Sequence, residues 1–215
     1  NLLEHSKNYG VKRFVYSSSS SVYGNDSKIP FTENQVQSRP VSVYAATKQS
    51  NELLAHVYSS LFNLETIGLR LFTVYGPWGR PDMALFLFTK AIIENNPIKV
   101  FNKGNLQRDF SYIDDVAIAI NNIICNDSKN KNPFKIYNIG NSNPVKLMDF
   151  ILLIEKKLNK TSKKIMLEMQ PGDVNSTYAD VSKLKLDYDF SSNTSIEKGV
   201  SKFIDWYLNF YKIKL

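Results

Sequence analysis

Short apolar runs alternate along this chain with longer stretches in which apolar residues recur every three or four positions. Short runs rich in β-branched and aromatic side chains are typical of buried strands, whereas the longer recurrence is typical of amphipathic helices. The runs predict strands that end near Ser17 and that cover 66–72, 97–101, 134–139 and 165–169. The recurrence predicts helices that end near residue 62 and that cover about 83–95, 116–124, 146–158, 180–186 and 195–211. This alternation favours an α/β fold with a parallel sheet wound by helices.

The helix that ends near residue 62 carries a long apolar stripe. Its members are Leu53, Leu54, Val57, Tyr58 and Leu61. Because a helix normally buries its apolar stripe, we expect these side chains to face the core.

Charge and composition narrow the classes of function. The net charge is +7, but it comes from scattered lysines rather than from arginine clusters, so we expect no nucleic-acid partner. No apolar run of membrane-spanning length occurs, so no membrane association is predicted. The single cysteine, Cys125, cannot form an internal disulfide, which favours a cytoplasmic protein. The only histidines are His5 and His56, and they predict no metal site.

Candidate chemistry begins at Tyr44 and Lys48, which are four residues apart on the helix that ends near residue 62. This spacing places the phenol and the ammonium on one helix face. A nearby ammonium stabilises a phenolate, which would make Tyr44 a base near neutral pH. The spacing alone is weak, since about one such pair is expected by chance in a chain with 12 tyrosines and many lysines.

The sequence around this pair is more specific. A strand runs into five serines, 17–21, and then into Val22-Tyr23-Gly24. After the Tyr/Lys helix, a second strand ends in Thr73-Val74-Tyr75-Gly76-Pro77. This arrangement resembles the extended short-chain dehydrogenase/reductase family of nucleotide-sugar epimerases and dehydratases. Residues 69–84 are most similar to its UDP-glucuronate 4-epimerases, and the resemblance extends from residue 1 to about 207.

The resemblance implies a Rossmann-type fold, NAD as cofactor and a UDP-sugar as substrate. It implies catalytic roles for Ser19, Tyr44 and Lys48, with Ser19 bonding the 4-oxygen of the sugar. It also implies NAD contacts from Ser17, Tyr44, Lys48 and Phe72.

Ser20 and Ser21 bear on the choice between related reactions. The 4,6-dehydratases that the chain resembles carry Asp-Glu at these positions, and UDP-glucuronate decarboxylases carry Glu at the second. Dehydration needs an acid and a base, which two hydroxyls do not supply at neutral pH. The serines therefore favour an epimerase, and they also avoid repulsion of a carboxylated sugar.

The resemblance implies a second group of residues that bind the UDP-sugar: Ser19, Ser21, Thr73, Arg80, Arg108 and Asp173. Arg80 can grip the sugar carboxylate with two parallel hydrogen bonds, and the alternative is an exposed loop charge. Arg108 matches the pyrophosphate-binding arginine of the family, and Asp173 matches a residue near the uridine ribose.

The family's glycine-rich dinucleotide fingerprint is not found in the sequence. We therefore expect about 100 residues to precede Asn1, roughly one domain's worth. Residues 1–80 would form the C-terminal part of the NAD-binding domain, and 81–215 mainly the nucleotide-sugar-binding part with the remaining Rossmann elements. Two alternatives stay open: an inactive UDP-sugar-binding fragment, and another UDP-sugar epimerase or decarboxylase. Relatives often dimerise through the Tyr-bearing helix, so a homodimer is a further expectation.

Overall fold

The computed structural model describes residues 1–25, 27–35, 39–170 and 172–214. Its helices are α1 (Leu2–Asn8), α2 (Val43–Phe62), α3 (Ala84–Ile93), α4 (Ile113–Cys125), α5 (Leu147–Leu158), α6 (Ser182–Tyr188) and α7 (Ile196–Tyr211). Its strands are β1 (Arg13–Ser19), β2 (Glu65–Leu71), β3 (Thr73–Tyr75), β4 (Ile98–Val100), β5 (Gln107–Tyr112), β6 (Phe134–Ile139), β7 (Pro144–Lys146) and β8 (Lys164–Met166). The predicted α/β fold with parallel strands is confirmed.

The first sheet is parallel and has the strand order β1-β2-β6. Helices lie in the connections between its strands, because parallel strands need a crossover connection. Gly68 on β2 lies opposite Tyr16 on β1, and a Cβ at Gly68 would come within 2.6 Å of the Tyr16 hydroxyl. Because β1 and β2 are parallel and in register, their carboxyl ends lie side by side. Ligands bind at this edge in open α/β sheets.

A second part of the fold has its own core. Strand β5 pairs with β3 in parallel and with β7 in antiparallel, while β4 pairs with β8. Helices α3, α5 and α7 bury their apolar faces here, and Phe110 of β5 stacks on Phe150 of α5 with ring centroids 4.2 Å apart. The sequence interpretation missed β5, because its residues Gln107-Arg108-Asp109 are polar.

The predicted burial of the α2 stripe is wrong. Leu53 is 64% exposed and Leu61 is 69% exposed. The buried residues of α2 are Ala45, Glu52, Ala55 and Ser59. Small side chains let the helix approach the sheet closely, and Glu52 is buried because it is paired with a cation.

Candidate active site

The start of α2 positions Tyr44. The Ser42 hydroxyl accepts a hydrogen bond from the Ala45 backbone N–H at 3.1 Å, which caps the helix. Tyr44 therefore lies in the first turn, where its side chain is about half exposed. One turn later, the Lys48 ammonium lies 5.6 Å from the centroid of the Tyr44 ring.

Lys48 is fixed against the end of β1. Its ammonium donates to the Ser17 carbonyl at 3.0 Å and to the Ser17 hydroxyl at 3.2 Å. Ser17 is exposed at this edge of the sheet. The structure thus brings together Tyr44, Lys48 and Ser17, three of the residues to which the sequence analysis gave contacts with NAD.

The serine run is an ordered turn rather than a flexible loop. Ser19 is buried at the end of β1, and residues 20–23 form a single helical turn. The Ser19 hydroxyl caps that turn by accepting from the Ser21 N–H at 3.1 Å, and it donates to the Ser21 hydroxyl at 3.1 Å. Gly24 ends the turn with a φ of +61°, a value that favours glycine.

A cleft lies beside this turn, and most of the residues predicted to bind the substrate line it. Its lining includes Ser20, Ser21, Thr73, Arg108, Asp173 and Thr177. Arg108 comes from β5 and Asp173 from the segment after β8, and their side chains form an ion pair at 2.5 Å. Burial lowers the pKa of the Arg108 guanidinium, and Asp173 opposes that shift.

Arg80 lies apart from that pair but near the same cleft. It lines a neighbouring pocket together with Thr73, and Thr73 contributes to both. The Arg80 side chain is 76% exposed and forms two hydrogen bonds to the carboxylate of Asp82. The guanidinium thus already presents its two-donor edge to a carboxylate, the group expected on the sugar.

Phe72 is placed in the core instead of on the cleft surface. Only 6% of it is exposed, and its ring centroid lies 6.3 Å from Tyr23 and 6.2 Å from Phe31. These contacts occupy the phenyl ring, so the structure shows a packing role for Phe72, and its contact with the cofactor stays a prediction. Its neighbour Thr73 is the residue that reaches the cleft.

A buried polar network behind the site was missed by the sequence analysis. Glu52 on α2 accepts from the guanidinium of Arg70 at 2.9 and 2.8 Å and from the Ser18 hydroxyl at 2.6 Å. Arg70 also donates at 3.0 Å to Tyr23, which donates at 2.6 Å to Asn138 on β6. The arginine in an otherwise apolar strand, and a glutamate four residues after Lys48, are the signals that could have revealed it.

This network stays charged and hydrogen-bonded without access to water. Arg70 is fully buried and Glu52 nearly so. Burial raises the pKa of the Tyr23 phenol to about 12, although Arg70 counteracts the shift, so Tyr23 remains a neutral donor. The network joins β1, β2, β6 and α2 at the edge of the sheet that carries Ser17 and Ser19.

Two absences among the described residues bear on the class of site. Within the part of the chain that the structure describes, no helix is both long and apolar enough to cross a membrane. In the same residues, no three His, Cys, Asp or Glu side chains come together as a set of metal ligands. Asp115, in the first turn of α4, accepts hydrogen bonds from Ser192 and Thr194.

Comparison with known proteins gives concordant matches. Residues 1–140 match the model of the NAD dependent epimerase/dehydratase family. The chain is 51% identical over 226 residues to the protein CapI of Staphylococcus aureus, covering 99% of this chain and 68% of that protein. It is 43% identical over 225 residues to UDP-glucuronate 4-epimerase 5 of Arabidopsis thaliana, covering 98% of this chain and 52% of that protein.

A solved structure extends this likeness to three dimensions. The UDP-glucuronic acid 4-epimerase of Bacillus cereus, in complex with UDP-glucuronic acid and NAD, has a TM-score of 0.90 and 34% identity. The match covers 98% of this chain and 66% of the bacillary one. The chain therefore spans about two thirds of that enzyme and about half of the plant enzyme.

Proposed function

Because the chain belongs to the NAD-dependent epimerase/dehydratase family, we propose that it carries the catalytic and sugar-binding residues of a UDP-glucuronate 4-epimerase. The observation that carries this proposal is the meeting of Tyr44, Lys48 and Ser17 at one strand end, beside the cleft of Arg108 and Asp173. A base for the sugar hydroxyl on α2 and a cation for the pyrophosphate on β5 thus lie next to the same cleft.

The exposed side of this strand end suits NAD. Lys48 and the Ser17 hydroxyl border an open cleft along β1, and an ammonium beside a hydroxyl is a donor set that fits a ribose diol. NAD, when bound, supplies the acceptor and later the donor of the C4 hydride. Lys48 would bind the nicotinamide ribose, and its two hydrogen bonds to Ser17 fix the orientation of its ammonium.

Tyr44 and Ser19 would act on the sugar itself. Tyr44 removes the proton of the 4-hydroxyl as the hydride leaves C4, and it returns that proton when the hydride comes back to the other face. The Ser19 hydroxyl, now bonded to Ser21, would turn to the same oxygen and steady it. The half-exposed Tyr44 phenol and the Ser19 hydroxyl at the end of β1 support this division of roles.

Specificity for a uronic acid would come from Arg80, Thr73 and Ser21. Oxidation at C4 of UDP-glucuronate makes a β-keto acid, which loses CO2 if the bond to the carboxylate aligns with the carbonyl π system. An epimerase must hold the carboxylate out of that alignment. The two-donor edge that Arg80 now presents to Asp82 supports this assignment, and the hydroxyls at Ser20 and Ser21 favour epimerisation over dehydration.

The exposed apolar face of α2 favours a homodimer. Leu53, Leu54, Val57 and Leu61 are all exposed on this helix, and a stripe of this kind is typical of a protein interface. We include a dimer through α2 in the proposal, and sedimentation equilibrium of the chain tests it.

Proton NMR of the reaction tests the proposed activity. Since no G-x-G-x-x-G occurs in the 215 residues, the assay uses a fusion in which a glycine-rich dinucleotide-binding segment of the family precedes Asn1. With NAD and UDP-glucuronate we expect UDP-galacturonate as the product. Conversion of UDP-glucose but not of UDP-glucuronate would contradict the uronate assignment, and conversion of neither would contradict epimerase activity.

A further inference from the structure

Arg80 is carried by two consecutive turns between β3 and α3. In the first turn, the Gly79 N–H donates to the Gly76 carbonyl at 3.1 Å. In the second, the Met83 N–H donates to the Arg80 carbonyl at 3.2 Å, and the guanidinium bonds to Asp82. Because these bonds lie within the two turns, they fix the shape of the segment but not its position relative to the rest of the protein.

The first turn has a tryptophan where glycine is usual. Pro77 stands at its second position and Trp78 at its third, where φ is +63°. A proline followed by a positive φ is the signature of a type II turn, whose third residue is normally glycine or asparagine. A bulky side chain is unfavourable in this conformation, so contacts of the Trp78 ring have to compensate for it.

The ring of Trp78 makes those contacts with the C-terminal half of α7. Its centroid lies 5.4 Å from that of Trp206 and 5.0 Å from that of Phe210, and the contact with Phe210 is edge-to-face. Both arrangements are favourable for aromatic pairs. Trp206 lies in turn 5.5 Å from Phe203, which is buried in the core. Trp78 therefore attaches the first turn to a helix that is anchored in the core.

Helix α7 also forms a wall of the pocket that Arg80 lines. Phe203 borders this pocket together with Gly76, Gly79 and Arg80. A Cβ at Gly79 would come within 2.9 Å of the Gly76 carbonyl oxygen, so the chain turns tightly there and leads directly into Arg80. A shift of the turn against α7 would therefore move the guanidinium relative to the pocket.

We propose that Trp78 is a positioning residue for Arg80: its ring, packed on Trp206 and Phe210, fixes the turn from which the guanidinium reaches the sugar carboxylate. Trp78 would thus raise the preference for a uronic acid, because a small displacement of a positioned group costs much of its effect. Trp78 is 74% exposed, so its replacement removes a surface contact and leaves the core intact. The inference rests on the proposed function in one respect, that Arg80 binds the carboxylate.

Calorimetric titration of residues 1–215 with UDP-glucuronate and with UDP-glucose tests this role. Trp78→Gly suits the positive φ but removes the ring, so the turn keeps its shape and loses its attachment to α7. We expect it to weaken UDP-glucuronate binding by roughly two- to tenfold, the factor that one aromatic contact implies. Binding of UDP-glucose, which has no carboxylate, should not change.

Two further variants control this titration. Trp78→Phe keeps an aromatic ring in the turn and should recover most of the preference for UDP-glucuronate over UDP-glucose. Tyr9→Gly is the matched control, since Tyr9 is 82% exposed and its ring stacks on His5. It removes an exposed aromatic contact elsewhere and should change neither affinity.

A combined variant shows whether Trp78 acts through Arg80. Arg80→Ala removes the guanidinium, so adding Trp78→Gly to it should weaken UDP-glucuronate binding no further. In the fusion with NAD, Trp78→Gly alone should also raise the ratio of UDP-4-keto-pentose, the product of CO2 loss, to UDP-galacturonate. Proton NMR measures that ratio.

The ring contact can be measured without a ligand. Trp78 and Trp206 are the two tryptophans of the chain, and two indole rings this close give a paired exciton signal in circular dichroism. The signal should be present in the unchanged chain and absent from Trp78→Gly and Trp78→Phe.

Several results would overturn the proposal. They are a missing exciton signal in the unchanged chain, equal weakening of the two nucleotide sugars in Trp78→Gly, or losses that add in the combined variant. Equal binding of UDP-glucuronate and UDP-glucose by the unchanged chain would contradict carboxylate binding by Arg80 and this inference with it. The titrations and the exciton signal need no turnover, so failure of the epimerase assay would leave them interpretable.

Discussion

The carboxylate of Glu52 on α2 receives two hydrogen bonds from the guanidinium of Arg70 on β2, at 2.9 and 2.8 Å. The same carboxylate accepts from Ser18 at the end of β1. One buried carboxylate therefore fixes the helix that carries Tyr44 and Lys48 to two neighbouring strand ends. Since the geometry of the site depends on this fit, the pair should matter for stability as well as for catalysis.

The first prediction concerns that pair. Glu52→Gln should lower the free energy of unfolding of residues 1–215 by roughly 3–5 kcal/mol, because it leaves the Arg70 charge buried without its counter-ion. Urea unfolding followed by circular dichroism measures the change. Glu168→Gln is the control, since Glu168 forms an exposed pair with Lys103. Its free energy of unfolding should equal that of the unchanged chain. Equal stability of the two variants would show that water reaches Arg70.

The second prediction concerns acid stability. Burial opposes ionisation of Glu65, but hydrogen bonds from Arg13 and Lys135 prevail and lower its pKa. A lowered pKa in the folded state contributes stability that is present above the ordinary glutamate value and is lost as the pH falls through the folded value. Glu65→Gln should therefore be less stable than the unchanged chain at pH 7, and the gap should close as acid protonates Glu65 in the folded chain.

Urea unfolding at several pH values checks this second prediction. Glu168→Gln again serves as the control, and it should show little gap at any pH. A gap for Glu65→Gln that persisted undiminished in acid would mean that the loss of stability comes from packing rather than from the ion pairs.

The third prediction concerns Tyr44, measured in the fusion that carries a dinucleotide-binding segment. Tyr44→Phe should lose far more than tenfold in kcat while KM changes little, because the base acts in the transition state rather than in binding. Tyr9→Phe is the matched control, as Tyr9 is 82% exposed on the far end of α1. If Tyr44→Phe retained more than about a tenth of kcat, another group would have to be the base.

The fourth prediction separates a uronate enzyme from one for neutral sugars. Arg80→Ala should reduce kcat/KM for UDP-glucuronate by roughly 10- to 150-fold, the range for a charge-assisted hydrogen bond. UDP-glucose has no carboxylate to lose, so the kcat/KM for UDP-glucose should fall much less. Proton NMR should also show some UDP-4-keto-pentose, because the carboxylate is no longer held out of line.

Arg80→Lys refines this fourth experiment. It keeps the charge but loses the two-donor edge. Compared with Arg80→Ala, it should bind UDP-glucuronate more tightly but still release some UDP-4-keto-pentose. Equal losses on both substrates without a decarboxylated product would instead mark Arg80 as structural.

Local spacing allowed much of the site to be predicted. Tyr44 and Lys48 share a helix face because four residues make about one helical turn, and the serine run ends a strand whose apolar residues mark it in the sequence. The family that these motifs indicated is confirmed by the comparisons with known proteins. The roles of the individual site residues, Arg80 and Asp173 among them, stay predictions.

Other features depended on parts of the chain that are distant in sequence. The apolar residues of α2 predicted a buried stripe, yet the helix turns Glu52 inward and leaves Leu53 and Leu61 in solvent. The reason is Arg70, which lies 18 residues later in the sequence. An unpaired buried charge costs more free energy than an exposed leucine, so the helix turns Glu52 toward Arg70. Hydrophobic periodicity records the character of one helix but not the charge on the strand beneath it.

The sequence by itself determined the alternation of strands and helices and the Tyr44–Lys48 face, since each follows from residues within a few positions of one another. Only the tertiary structure decided that Phe72 is packed in the core and that Arg108 pairs with Asp173 across 65 residues. Those outcomes depend on which segments the folded chain brings within hydrogen-bonding or van der Waals distance. No local pattern records that, because the attraction acts only after the segments have met.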